Sequence, residues 1–236
     1  MITLYGMGSP NVVKVILALE ELDLPYEMKP VDVFAGEQFK SDFTKLNPQA
    51  KVPVIVDPEG PGGAPITLFE SAAILIYLAE KAGRLIPADA HARYTMLQWL
   101  MVQVAGVGPM SGQLVHFLRF APDGNEYAKS RYLTQVHRVY EAIEARLAEA
   151  PFLAGAEYSI ADIATFPWLR LAGMLLGETK DRYPKIAAWV EMIAARPATV
   201  RALAASDAVR GRTTAFDKAA PDMIDKVMGR GRHAVA

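Results

Sequence analysis

Residues 51–56 read Lys-Val-Pro-Val-Ile-Val, and residues 69–71 read Phe-Glu-Ser. The first stretch predicts a strand over Val52–Val56, because its β-branched residues are followed at once by a turn rich in proline and glycine. A further strand is predicted over Ile66–Phe69, and apolar residues at helical spacing begin at Ser71. These residues therefore predict two strands joined by a turn and followed directly by a helix.

The residues before this unit add a strand, a helix and another strand. A short buried strand is predicted over Met1–Leu4, and apolar residues then recur at helical spacing from Asn11. Ser9 stands where an N-cap belongs, and Pro10 stands at the first helical position, where proline is tolerated. Alternation over Tyr26–Val33 predicts the second strand. The order β-α-β, then a loop or short helix, then β-β-α is the layout of a thioredoxin-like α/β domain.

We expect three parts: the thioredoxin-like domain at 1–83, an all-α domain at 91–206 and a C-terminal tail at 207–236. After Gly83 no strand-like alternation remains, and long helical patterns follow. The first of these patterns is predicted to break at the Gly-Val-Gly-Pro stretch 106–109. The C-terminal tail is rich in Gly and Ala, so its composition predicts weak structure.

Ser159 and Asp162 have the spacing of a capping box at the start of one of these helices. In such a box each residue bonds to the backbone of the other, and an acidic side chain complements the helix dipole. We therefore expect Asp162 to stabilise the fold, and we do not count it among the site residues.

The composition excludes several kinds of chemistry. The chain has 236 residues, a formal net charge of −1 and no cysteine, so a disulfide framework, a thiolate metal site and a cysteine nucleophile are excluded. The four histidines are scattered and no phosphate-binding glycine motif occurs, so we expect no metal and no nucleotide. The charge gives no support to nucleic-acid binding. No secretory signal and no membrane-length apolar run is found, so we expect a cytoplasmic protein without a membrane partner.

Taken together, the two predicted domains and three short motifs resemble a cytosolic glutathione transferase over about residues 1–205. The motifs are Val52-Pro53, Phe69-Glu70-Ser71 and Ser159-x-x-Asp162. The resemblance implies that the protein binds glutathione as a substrate. Glutathione is a γ-Glu-Cys-Gly tripeptide with two carboxylates, one ammonium and a thiol.

The resemblance assigns residues to each part of glutathione. A cis bond before Pro53 leaves the backbone of Val52 free to pair with the cysteine part like an added strand. Ser71 offers N–H groups and a hydroxyl to the γ-Glu carboxylate at a helix N-terminus, and the carboxylate of Glu70 takes the ammonium. The alternatives are an ordinary turn proline at a strand start and a plain N-cap with an acidic neighbour.

Three further positions resemble glutathione-binding positions of the family. Lys51 and Gln38 match positions that hold the glycine carboxylate, although Lys51 has the alternative of a solvated surface charge. The resemblance suggests that Arg131 contributes to the site, either of its own subunit or of the partner, and its alternative is an exposed charge on a helix.

The glutathione thiol must be ionised near neutral pH, although free thiols have a pKa of about 8.5. The family stabilises the thiolate with a Tyr, Ser or Cys at the end of the first strand or the start of the first helix. Cysteine is absent, and Tyr5 precedes the loop, where a packed strand residue is expected. Ser9 and Asn11 remain as the expected thiolate donors, with Tyr5 as the alternative.

A finer resemblance is to the bacterial nu class and its relative, the yeast nitrogen-regulation prion protein. It rests on Ser9-Pro10-Asn11, Gly36-Glu37-Gln38-Phe39, Leu97-Gln98-Trp99-Leu100 and the stretch 106–110. It implies a homodimeric enzyme that reduces disulfides through bound glutathione, with conjugation of glutathione to an electrophile as a close variant. The rival hypothesis is a non-catalytic regulatory protein that keeps the glutathione site or only the fold.

Overall fold

The structure, a computed structural model, describes residues 1–177 and 180–234. The chain forms two compact units, of which one contains Met1–Tyr77 together with the chain from Ala198 onward, and the other contains Leu78–Pro197. The domain boundaries given above stay a prediction. The contacts add that the C-terminal residues belong with the N-terminal unit.

The first unit is built on a mixed sheet whose described strands are β1 (Ile2–Gly6), β2 (Tyr26–Pro30), β3 (Val54–Asp57) and β4 (Ile66–Phe69). Their order is β2-β1-β3-β4; β1 and β2 are parallel, and the other two pairs are antiparallel. This arrangement confirms the thioredoxin-like fold class. β2 ends before its predicted limit at Val33, because the chain turns there into a 3₁₀ helix.

Three helices follow the strands of this unit: α1 (Pro10–Glu21), α2 (Ser41–Thr44) and α3 (Ser71–Ala82). The predicted start of α1 is confirmed, with Ser9 at the N-cap and Pro10 at the first position. The apolar residues of α1 from Val12 to Leu19 are buried and form much of the core beside the sheet.

The second unit is helical, as predicted. Its described helices are α4 (Ala90–Val102), α5 (Gly108–Arg119), α6 (Glu126–Glu149), α7 (Ile160–Leu169), α8 (Ala172–Leu176) and α9 (Pro184–Ala194). Among the described residues, no helix is both long enough and apolar enough to cross a membrane.

The predicted break at residues 106–109 is wrong. A π-helical turn over Gln103–Val107 connects α4 directly to α5, and Pro109 falls in the first turn of α5. Proline has no N–H to donate to the preceding turn, and a widened turn is one way for a helix to continue past it.

The capping box of α7 is present, and it does more than cap the helix. The carboxylate of Asp162 accepts from the Ser159 N–H at 3.1 Å, the Leu153 N–H at 2.9 Å and Trp189 Nε1 at 3.2 Å. Asp162 is fully buried, and that burial raises the pKa of its carboxyl group to about 6. It therefore ties a loop and α9 to the start of α7.

The C-terminal tail is better ordered than its composition predicts. After α10 (Pro197–Arg210), the described part of the tail, which extends to residue 234, contains α11 (Pro221–Met228) and two 3₁₀ turns. α11 begins with Pro221 in its first turn and ends at Gly229, whose φ of 63° closes the helix. Proline at the start and glycine at the end are helix signals that an average over the segment conceals.

Candidate functional site

The register of the sheet brings four chain segments to one edge. Tyr5 of β1 pairs with Val54 of β3, and Val54 pairs in turn with Phe69 of β4, in both cases antiparallel. β1 and β2 run parallel, with Gly6 opposite Pro30. The chain therefore leaves β1, β2 and β4, and enters β3, at the same edge, which we call the site edge.

The segments at the site edge carry the residues predicted to bind glutathione, except for one. They hold Ser9, Asn11, Gln38, Lys51, Val52, Pro53, Glu70 and Ser71. Arg131 lies instead on α6 in the second unit, where it is exposed. In the described part of the chain, no group of three or more His, Asp or Glu side chains is arranged to hold a metal ion.

The loop after β1 ends at the N-terminus of α1. Ser9 has extended backbone angles (φ −136°, ψ 154°), and its carbonyl accepts from the N–H groups of Val12 at 3.0 Å and Val13 at 2.9 Å. Its hydroxyl makes no cap hydrogen bond, in contrast to the expected N-cap role, and so is available to a ligand. Asn11 is the second residue of α1 and is partly buried. The first turn of α1, described throughout, has no acidic side chain, so the helix dipole favours an anion there.

Tyr5 lies in β1 and packs at the core beneath the site edge. Its ring lies edge-on to Phe43, with centroids 6.4 Å apart, and contacts a cluster that includes Val31 and Val54. The Nζ of Lys29 lies 5.7 Å from the ring centre. These contacts give Tyr5 a packing role.

The residues directly before β3 differ in burial, from the exposed Lys51 to the buried Pro53. The Val52-Pro53 peptide bond is cis, and Pro53 is buried, while Val52 packs partly on the core cluster. Asn47 donates through Nδ2 to the carbonyl of Lys51 at 2.7 Å, which holds the turn before Val52. The Lys51 side chain is exposed.

The loop after β4 places an acidic residue directly before a helix. Glu70 has a φ of 68°, a left-handed conformation that side chains other than glycine adopt rarely and that concentrates at functional sites. Its carboxylate is exposed and accepts weakly from Gln49 Nε2 at 3.4 Å. Ser71 opens α3, which confirms the predicted helix start and puts unpaired N–H groups beside Glu70.

Lys14 is a buried cation, influenced by the charge of Glu70, that was not predicted from the sequence. It lies on α1 among apolar residues and is 2% exposed. This burial lowers the pKa of its ammonium group to about 7, and the negative charge of Glu70 acts against that shift. The available signal was a single lysine within the apolar run Val12–Leu19, because lysine is rarely found at buried positions.

Gln38 is also more deeply buried than a surface ligand would be. It lies in the 3₁₀ turn Glu37–Phe39 and is 2% exposed. Its Oε1 makes no hydrogen bond to any described residue. The Glu37 carboxylate accepts from the Asp32 N–H at 2.9 Å and so closes the segment around Gln38.

The fold is that of a glutathione transferase, and the chain belongs to the glutathione S-transferase family. The models of the N-terminal and C-terminal domains of that family match residues 8–81 and 97–197. This finding confirms the resemblance identified from the sequence.

The named relatives are similar over most of the chain. Disulfide-bond oxidoreductase YfcG of Escherichia coli K12 is 44% identical over 209 residues, which covers 86% of this chain and 94% of the relative. A glutathione transferase family member from Pseudomonas fluorescens, solved with two glutathione bound, is 41% identical with a TM-score of 0.81 and covers 86% of this chain and 92% of that one. A glutathione transferase from Pseudomonas putida, solved with one glutathione disulfide per subunit, is 39% identical with a TM-score of 0.81 and covers 86% and 90%.

Proposed function

We propose that this protein is a glutathione-dependent enzyme that reduces disulfides through a bound glutathione thiolate, without a cysteine of its own. The Escherichia coli relative is named a disulfide-bond oxidoreductase, and the two Pseudomonas structures hold two glutathione molecules or one glutathione disulfide. The observation that carries the proposal is the hydroxyl of Ser9 at the N-terminus of α1, which is not used to cap the helix.

The first turn of α1 is suited to a thiolate. The Ser9 hydroxyl donates one hydrogen bond, the Asn11 amide donates another, and the helix dipole adds a favourable potential where no acidic side chain opposes it. Hydrogen bonds to the charged form of a thiol lower its pKa and raise the fraction that is nucleophilic near neutral pH.

The rest of the tripeptide is assigned along the site edge. The γ-Glu carboxylate lies at the N-terminus of α3 with Ser71, and the ammonium group of the same residue faces Glu70. The cysteine part pairs with the backbone of Val52 before Pro53. The glycine carboxylate is held by Lys51 and Gln38, and Arg131 adds to the site from its own subunit or from the partner.

The chemistry is two successive thiol–disulfide exchanges. A bound glutathione thiolate attacks one sulfur of the substrate disulfide, so that a mixed disulfide forms and the other sulfur leaves as a thiolate. A second glutathione thiolate then attacks the mixed disulfide, which releases the second substrate thiol and forms glutathione disulfide. The protein orients the first glutathione and stabilises its charge, and takes no covalent part.

Conjugation of glutathione to an electrophile would use the same thiolate and is the close variant of this function. As part of the proposal, the enzyme belongs to the nu class, forms a homodimer and is located in the cytoplasm. These finer features rest on the family resemblance.

The test is a paired assay of disulfide reduction and of conjugation to a chloronitroarene, with wild type, Ser9→Ala, Asn11→Ala and Tyr5→Phe. We expect disulfide reduction by the wild type, a larger loss for Asn11→Ala than for Ser9→Ala, and near-normal activity for Tyr5→Phe. The ultraviolet absorbance of the bound thiolate, titrated with pH, should show a raised thiol pKa in the two alanine variants.

Four outcomes would change the conclusion. Unaltered activity of Asn11→Ala would remove that residue from the mechanism. Loss of the activity in Tyr5→Phe would assign the stabilisation of the glutathione thiolate to Tyr5. A protein that binds glutathione but catalyses neither reaction would be the regulatory alternative. Failure to bind immobilised glutathione would refute the site itself.

A further inference from the structure

The C-terminal tail contacts the loop that carries the proposed thiolate donors and the segment that carries Gln38. Neither family model reaches it, since the C-terminal model ends at residue 197. The tail therefore lies outside the two matched domains. We call the residues Asp32–Phe39, which leave the sheet after β2 and contain Gln38, the glutamine segment.

Two contacts join the tail to the first half of the glutamine segment. The carboxylate oxygen Oδ2 of Asp32 accepts two hydrogen bonds from Thr214, one from the N–H at 2.9 Å and one from the hydroxyl at 2.7 Å. The rings of Phe34 and Phe216 meet edge to face, with centroids 5.5 Å apart. Both an ionic and an apolar side chain of the segment are thus held by the tail.

Helix α11 covers the second half of the segment. Gly36 has a φ of 82°, and a Cβ at this position would lie 2.6 Å from Cε of Met223, so the missing side chain allows the helix to approach. The Nζ of Lys226 lies 4.6 Å from the ring centre of Phe39, which is cation–π distance.

The tail also contacts the loop between β1 and α1. A Cβ on Gly8 would lie 3.0 Å from Cβ of Arg210, so the last turn of α10 rests on the backbone directly before Ser9. The same short stretch of tail thus reaches the loop proposed to hold the thiolate and the segment proposed to hold the glycine carboxylate.

The glutamine segment depends on such outside support because its own structure is slight. It consists of two 3₁₀ turns of three residues each, a helix type with poor hydrogen-bond geometry. Within the segment, Asp32 Oδ1 accepts from the Ala35 N–H at 3.1 Å. The tail contacts residues on both sides of Gln38 in the chain, Phe34 before it and Phe39 after it.

We propose that the C-terminal tail holds the glutamine segment and the β1–α1 loop in the conformation that binds glutathione, and so sets the affinity for glutathione without acting in the chemical step. The inference rests on the proposed function, because the affinity in question is that of the proposed site. Thr214 is a positioning residue in this scheme.

The test uses the full chain with Thr214→Val, which keeps the shape of the side chain and removes its hydroxyl donor. Thr213→Val is the matched control, because the Thr213 hydroxyl donates within the tail, to the Arg210 carbonyl at 3.3 Å. Thr214→Ser is the rescue variant, and Lys226→Met probes an independent contact. The measurements are hydrogen exchange of the glutamine segment without ligand, the Kd of glutathione by calorimetry, and KM and kcat for disulfide reduction.

For Thr214→Val we expect faster exchange in the glutamine segment and a Kd and KM for glutathione raised about tenfold, the size of one lost charge-assisted hydrogen bond, with kcat unchanged. Lys226→Met should act in the same direction, and Thr214→Ser and Thr213→Val should resemble the wild type. Unchanged exchange, or faster exchange with an unchanged Kd, would overturn the inference while the proposed function stands. A wild type that binds no glutathione would refute the proposed function, and the inference with it.

Discussion

Replacing Lys14 by methionine should change how the stability of the protein depends on pH. Lys14, on α1, is 2% exposed, and the pKa of its ammonium group in the folded protein is lowered to about 7 from an ordinary 10.5. Methionine has a similar length and no charge, so Lys14→Met removes the titration while filling most of the same space.

The sign follows from proton binding. Because the pKa in the folded state lies below that in the unfolded state, the unfolded chain binds more protons between pH 7 and 10.5. Stability therefore rises with pH in this window and is lost as pH falls toward the folded-state pKa. Where Lys14 is charged in the unfolded chain and neutral in the folded protein, the unfolded chain binds nearly one proton more. The free energy of unfolding then rises by about 1 kcal/mol per pH unit.

The assay is thermal or urea unfolding without glutathione, from about pH 7.5 to about pH 9.5. The wild type should gain stability with pH relative to Lys14→Met. Its thermal unfolding midpoint should rise by about 2–4 °C per pH unit more than that of the variant. Lys45→Met, which removes an exposed ammonium, should follow the wild type. Parallel curves for wild type and Lys14→Met would refute the reasoning, because they would mean that Lys14 keeps its proton in the folded protein.

Three further predictions concern single side chains. Glu70→Gln removes the proposed partner of the glutathione ammonium and should raise the Kd of glutathione about tenfold in calorimetry; an unchanged Kd would remove Glu70 from the site. Asp162→Ala leaves several buried donors without an acceptor and should destabilise the protein by at least about 3 kcal/mol, and a change in the urea midpoint too small to measure would contradict this role. Gly36→Ala forces a side chain into a left-handed conformation and against Met223, so it should destabilise the protein by about 1–2 kcal/mol. Adding Met223→Ala should recover part of that loss, and the double variant would be no better than the single one if the close contact were absent.

The fold could be predicted from local patterns because each element of the first unit carries its own signal. The cap residue Ser9 and Pro10 fixed the start of α1, and the turn before Ile66–Phe69 separated β3 from β4. The break at residues 106–109 was predicted wrongly because glycine and proline report only a local preference. The structure satisfies that preference with a π-helical turn inside a continuous helix.

The position of the candidate site residues in the fold was predictable where they follow the ends of strands, and less so where their burial depends on packing. Glu70 and Ser71 stand at a strand–helix junction, which a sequence reveals directly. The burial of Lys14 and Gln38 depends on contacts that form only when α1 and the glutamine segment pack in three dimensions. The contacts of the C-terminal tail could not be predicted from the sequence, because Asp32 and Thr214 are distant in the chain and composition does not indicate that they pair.

The geometry of the sheet gives a physical reason why the two helix N-termini at the site edge can serve one tripeptide. β1 and β4 are separated by β3 alone, so the strands that precede α1 and α3 lie about 10 Å apart, two strand spacings. An extended γ-glutamyl-cysteine unit spans a similar distance between its carboxylate and its thiol, since each residue extends at most about 3.6 Å and the γ linkage adds length. One peptide can therefore place its carboxylate at α3 and its thiolate at α1 only when it is stretched across the start of β3. Val52 stands at that point, so the backbone pairing proposed there and the two anion sites depend on the same extended conformation.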